Sequence, residues 1–148
     1  MIVPDTNLLV YAYDAGSVHH QKAGVWWAAC MNGSEAVGLP APVVFGFMRL
    51  VTHPRVFQQP FSVSTAASRV RSWLARPHVR VIIPGETHPE AVIRLLEQAG
   101  TAGNLTTDAQ IAALALQDSG VVHSNDTDFQ RFPGLRWFNP LTGKGGKA

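Results

Sequence analysis

Four aspartates are placed where they could do chemistry together: Asp5, Asp108, Asp126 and Asp128. Asp5 closes the apolar run Ile2-Val3-Pro4, and Asp108 opens the run from Ala109 to Leu116. Asp126 and Asp128 bracket Thr127 just after Val121-Val122-His123-Ser124. Taking a carboxylate out of water without a partner is costly. The stretch Asn104 to Phe129 contains no Lys or Arg to serve as one. A divalent cation is the simplest counter-charge, and oxygen donors with no Cys or His cluster nearby select a hard ion, Mg²⁺ or Mn²⁺. Such an ion lowers the pKa of a bound water, polarises a phosphodiester and neutralises the departing oxygen. Asp5 and Asp108 are the first choices as direct ligands, with Asp126 next. Asp128 either joins them or caps the turn into Phe129. Asn7 and Ser124 are the side chains that can orient ligands or waters by hydrogen bonds. Taken alone, Asp5 has a second reading as a cap on the helix that begins at Asn7.

The elements that must deliver these groups are legible in order. Met1 to Pro4 is a buried strand, and an acid at the carboxyl end of a first strand lies where α/β sheets place their ligands. Asn7 to Tyr13 and Val18 to Met31 read as helices. The second carries Trp26 and Trp27, read as core or subunit interface rather than as a base-stacking platform. His19 and His20 diverge on a helix and are read as surface. Ala36 to Leu39 is a strand, and Pro42 suits the first turn of a helix running to about His53. After a loop from Thr52 to Phe61, Ser64 to Ala75 is a helix and Val79 to Ile83 a strand. Thr87 and Glu90 have capping-box spacing ahead of a helix Pro89 to Ala99. Thr106 and Thr107 suit capping of the helix that bears Asp108, and Gly120 is placed to stop it. Val121 to Ser124 and Leu135 to Phe138 are the last strands. Strands alternating with helices predict an α/β fold of three layers: a mostly parallel sheet with helices on both faces. One domain over 1–140 and a flexible tail over 141–148 complete the expected organisation.

These residues carry a resemblance. Asp5-Thr6-Asn7-Leu8-Leu9-Val10-Tyr11-Ala12 resembles the first motif of PIN-domain ribonucleases, in particular the VapC toxins of type II toxin–antitoxin (VapBC) pairs. Gly103-Asn104-Leu105 through Asp108 and Ala112-Ala113-Leu114-Ala115 resembles their third-carboxylate helix. Ser124-Asn125-Asp126-Thr127-Asp128-Phe129, then Arg131-Phe132-Pro133-Gly134-Leu135, resembles their closing motif. The likeness covers nearly the whole chain, in order. It implies a PIN-like fold and an Mg²⁺- or Mn²⁺-dependent endoribonuclease that cleaves RNA by metal-activated water. It also implies a homodimer silenced by a cognate VapB-like antitoxin. One position departs from the pattern: where the family carries a second acid, a Glu, this chain has Gly46. A glycine inside a helix supplies no ligand. Close helix packing, a weakened family member and a substitution that disarms the enzyme are three readings of it. A catalytically inactive PIN-fold module that binds RNA or antitoxin is therefore the alternative function. A haloacid-dehalogenase-type phosphotransferase would want an acid where Asn7 stands and a phosphate-binding Lys, and the body of the chain has almost none.

Size and composition bound the rest. At 148 residues with 46% hydrophobic content, the chain can bury a sizeable core. The net charge is only +2, but no carboxylate falls between Glu35 and Glu86, where Arg49, Arg55, Arg69, Arg71, Arg76 and Arg80 all lie. A cationic middle beside an acidic cluster suits a nucleic-acid backbone held near metal ions, with Arg49 and Arg55 as candidate contacts. The single Cys30 excludes an intramolecular disulfide. No signal segment is read at the N-terminus and no apolar stretch is long enough to span a membrane, so the cytoplasm is the expected location.

Overall fold

The computed structural model describes residues 1–147. The apolar runs become strands β1 (Ile2–Pro4), β2 (Val37–Leu39), β3 (Val79–Val81), β4 (Val121–His123) and β5 (Arg136–Asn139), with β6 (Lys144–Lys147) at one edge. They form one sheet in the order β3-β2-β1-β4-β5-β6. The first five are parallel; β6 runs antiparallel to β5. The short central strands are apolar throughout because both of their faces are covered.

The helices are α1 (Thr6–Tyr13), α2 (His20–Asn32), α3 (Ala41–Val51), α4 (Val63–Leu74), α5 (His88–Ala99) and α6 (Leu105–Gln117). The chain steps from β1 to β2 to β3 one way across the sheet and back to β4 the other way, so the right-handed rule for parallel crossovers assigns α1–α4 to one face and α5 and α6 to the other. The packing of α1 on α2 and α3, and of α5 on α6, follows that arrangement. The result is the three-layer, mostly parallel α/β fold read from the sequence. In α6 every residue from Ile111 to Ala115 is buried, as its nearly all-apolar composition requires. The connection leaves β1 toward β2 on one side and returns to β4 on the other. Their carboxyl ends therefore bound a topological switch point, the crevice in which such sheets bind ligands.

Several local expectations are corrected. The stretch 141–148 is not a flexible tail as far as it is described. Leu141 is buried against Leu8 and Ala23, and Gly143 (φ 73°) turns the chain back so that Lys144–Lys147 pairs along β5. A Gly- and Lys-rich segment has no apolar period to announce it, and a charged edge strand draws its order from backbone pairing. Ala148 lies outside the described residues. Thr106 and Thr107 fall inside the first turn of α6, whose N-cap is Asn104 without a side-chain bond. Thr87 does sit at the N-cap of α5 but makes no capping bond. Gly120 does not stop α6 either: the left-handed residue there is Ser119, at φ 53°. A Cβ on Gly120 would lie 2.8 Å from Val3 Cγ2, so the glycine lets the chain pass close over β1. His19 and His20 are half-buried rather than surface residues. His20 Nδ1 bonds the Tyr11 carbonyl at 3.0 Å, and the His19 ring packs on Tyr11 at 4.8 Å.

Candidate metal centre

Asp5 leaves the end of β1 and is buried, with 7% of its surface exposed. It caps α1 by accepting the Thr6 N–H at 2.7 Å through Oδ1. Its other oxygen accepts from Ser124 Oγ, just past β4, at 2.6 Å. Asp5 is thus the cap of α1, and its second oxygen faces the residues that follow β4.

Ser124 is the hub. Its single hydroxyl proton goes to Asp5, so its lone pairs accept the Asp126 N–H at 2.9 Å and the Asn7 Nδ2–H at 3.3 Å. That leaves Asn7 Oδ1 buried without a partner among the described residues. Asp126 Oδ1 in turn accepts the Asp128 N–H at 2.8 Å, starting a 3₁₀ turn from Thr127 to Arg131.

The first turn of α6 brings Asp108 in from the opposite face. Asp108, Asp126 and Asp128 each present an oxygen within 4.8 Å of the others. Asp5 lies beside this triad, close enough that its charge acts on Asp108. Burial raises the Asp108 carboxyl to about 7, with the charges of Asp5, Asp126 and Asp128 adding to it. Burial likewise lifts Asp5 to about 6, against the bonds from Ser124 and Thr6. Among the described residues no Lys, Arg or His forms an ion pair with any of the four. The donor set fits a hard divalent cation: carboxylate oxygens, no thiolate, and a buried orphan acceptor that a hydrated ion could satisfy.

Each candidate residue is thus located. Asp5, Asp108, Asp126, Asp128, Asn7 and Ser124 come together in the crevice. Gly46 lies on α3 against Thr6, the neighbour of Asp5: a Cβ there would stand 3.1 Å from Thr6 Oγ1. Arg49 and Arg55 are exposed and form no ion pair among the described residues. The tryptophan pair divides: Trp27 is core, while half-buried Trp26 donates Nε1–H to His123 Nδ1 at 3.1 Å. Burial, helped by the N-terminal charge, holds His123 down at about 4, so it is a neutral acceptor. Sequence reading missed His123 and Thr6, because their roles come from neighbours far along the chain; the polar residue ending the run Val121-Val122-His123 was the one available sign.

The comparisons agree with this geometry. The sequence pattern of the PIN domain matches residues 2–135. Ribonuclease VapC33 of Mycobacterium tuberculosis is 43% identical over 141 residues, spanning 95% of this chain and 99% of the relative. In fold, the crystal structure of FitAcB from Neisseria gonorrhoeae superposes with a TM-score of 0.70 at 22% identity, over 95% of this chain and 98% of that one. VapBC2 from Rickettsia felis, crystallised with a DNA fragment from its promoter, does so at 0.63 and 21%, over 94% and 98%. A matched pattern across most of the length, with its acids converging in one crevice, places this chain in the PIN-domain family, among the VapC ribonucleases.

Proposed function

We propose that the protein is the toxin of a toxin–antitoxin pair and hydrolyses RNA phosphodiesters with Mg²⁺ or Mn²⁺ held by Asp108, Asp126 and Asp128, with Asp5 alongside. The observation that carries this is the convergence of three carboxylate oxygens within 4.8 Å, with no cationic side chain among the described residues paired to them. When bound, the ion supplies Lewis-acid activation of water and stabilises the departing oxygen. The protein's own part is to hold the carboxylates in place: Ser124 pins Asp5 and Asp126, and the 3₁₀ turn sets Asp128. Exposed Arg49 and Arg55 are suited to the RNA backbone. A VapB-like antitoxin as partner is supported by the VapBC2 complex among its structural neighbours. Homodimerisation and a cytoplasmic location follow from the family reading; no helix among the described residues is long and apolar enough to cross a membrane.

The test is cleavage of single-stranded RNA with Mn²⁺, with Mg²⁺ and with EDTA, for the parent and for Asp126→Asn. Cleavage should need the cation and fall about 10–100-fold in the variant; EDTA-resistant cleavage would remove the metal from the reading. A second reading, a weakened or inactive module that binds RNA or antitoxin without turnover, is favoured by one feature: Gly46 beside Thr6 adds no carboxylate to the four aspartates. RNA binding with no cleavage, even in Gly46→Glu, would establish it.

A further inference from the structure

At the carboxyl end of β5, the strand next to β4, lies a shallow pocket of about 520 Å³, lined by Gln21, Lys22, Val25 and Trp26 of α2 and by Phe138 and Pro140. Its aromatic residues are built into the same framework as the acids. The Phe138 carbonyl accepts the N–H of Ser124 at 3.0 Å, and Ser124 is the residue that holds Asp5. Phe138 is also paired in register with His123 and packs edge-on to its ring at 5.1 Å. Trp26 is locked in orientation by its N–H bond to His123. Phe138 and Ser124 thus stand on adjacent strand ends, whose backbones lie about 4.8 Å apart in any sheet.

We propose that this pocket is a nucleobase subsite: an unpaired base of the RNA seats against Trp26 and Phe138 while the neighbouring phosphodiester lies at the carboxylates. This rests on the ribonuclease reading above and extends it from the reacting phosphate to an adjacent base. Aromatic faces bind bases by stacking, whatever their sequence, and single-stranded RNA is recognised through such splayed bases. Exposed Lys22 on the rim supplies the positive charge that the backbone needs. Trp27 and Trp73, which line a second cavity, are buried to 3% and 1% exposure and offer no such face; half-buried Tyr13 and Phe61 line a third, away from Ser124, with their rings packed on each other.

The experiment measures anisotropy of fluorescein-labelled oligouridine and oligoadenosine in EDTA, where binding is read without turnover. Phe138→Leu keeps apolar bulk and removes the aromatic face; it should weaken binding about tenfold. Trp26→Phe gives up the His123 bond but keeps a ring, and should stay within about threefold of the parent, whereas Trp26→Leu should lose about as much as Phe138→Leu. Oligonucleotides carrying 4-thiouridine should crosslink to Trp26 or Phe138. Thermal unfolding confirms that each variant is folded, and the crosslink on unmutated protein stands if one is not. Parent-like affinity for Phe138→Leu without a crosslink at these residues overturns the subsite and leaves the ribonuclease reading intact. A changed oligomeric state in Phe138→Leu with unchanged RNA affinity overturns it too, in favour of a protein contact. Failure of the parent to bind either oligonucleotide in EDTA overturns the subsite, while the ribonuclease reading is decided separately by cleavage with Mn²⁺ or Mg²⁺.

Discussion

At the scale of single residues, the site is a balance between like charges and the groups that position them. Asp5, Asp108, Asp126 and Asp128 are drawn into one crevice, and burial first, with the neighbouring carboxylates adding to it, raises the carboxyls of Asp5 and Asp108. Position 46 is where the balance can be changed. Gly46→Glu should tighten Mn²⁺ binding about tenfold and raise the cleavage rate, since cation affinity follows ligand charge. Gly46→Ala is the control. It should alter thermal stability, because about 1 kcal/mol of helix propensity is set against a 3.1 Å approach to Thr6, while Mn²⁺ affinity stays as in the parent. Calorimetric titration and unfolding of the three proteins separate the two effects; equal Mn²⁺ affinity in Gly46→Glu would show that position 46 plays no part in ligation.

At the scale of elements, β1, β4 and α6 are the parts that aim the acids, and their spacing is set by small residues. The chain turns from α6 into β4 through Ser119, at a left-handed φ of 53°, and Gly120, which passes within 2.8 Å (to a built Cβ) of Val3. Gly120→Ala should therefore destabilise the protein by about 1–3 kcal/mol through overpacking. Ser119→Gly should be neutral or stabilising, because glycine adopts that backbone without strain. Urea unfolding of the two variants checks the opposite signs. The edge strand is a second case. Removing residues 141–148 strips β6 from β5 and uncovers Leu8 and Ala23, and should cost about 2 kcal/mol or more from the lost burial of Leu141. An unchanged melting temperature would mean that the segment adds nothing to the fold.

At the scale of the whole molecule, the proposed site should couple folding to pH and to metal. Asp5 and Asp108 titrate higher in the folded chain than in the unfolded one, so the folded state binds the extra protons. Their contribution to stability is full at low pH and is lost as pH rises through about 6 and about 7. His123 acts in the opposite sense and lower down. Its value falls from 6.5 to about 4, so its contribution is present above 6.5 and lost as pH drops toward 4. The metal-free protein should consequently lose stability between about pH 6.5 and pH 8, where only the aspartates act. Added Mg²⁺ or Mn²⁺ should restore it, most strongly at the upper end, because protons and cation compete for the same oxygens. Melting temperatures across that range, with and without the ion, test this; a rise with pH in EDTA would contradict it.

The order of strands and helices, the mostly parallel sheet and the carboxylates at the ends of β1, β4 and α6 were legible from the chain alone. They depend on apolar period and on where a polar residue interrupts it, and those are local properties. Tertiary structure alone decided the features that depend on distant residues meeting. Asp128 joins Asp108 and Asp126 because a 3₁₀ turn faces the first turn of α6. Trp26 parts from Trp27 because His123, far along the chain, supplies its partner. A Gly- and Lys-rich end becomes β6 because β5 offers an open edge of backbone donors and acceptors. A sequence records which groups are costly to bury; only the folded chain shows which of them share one pocket.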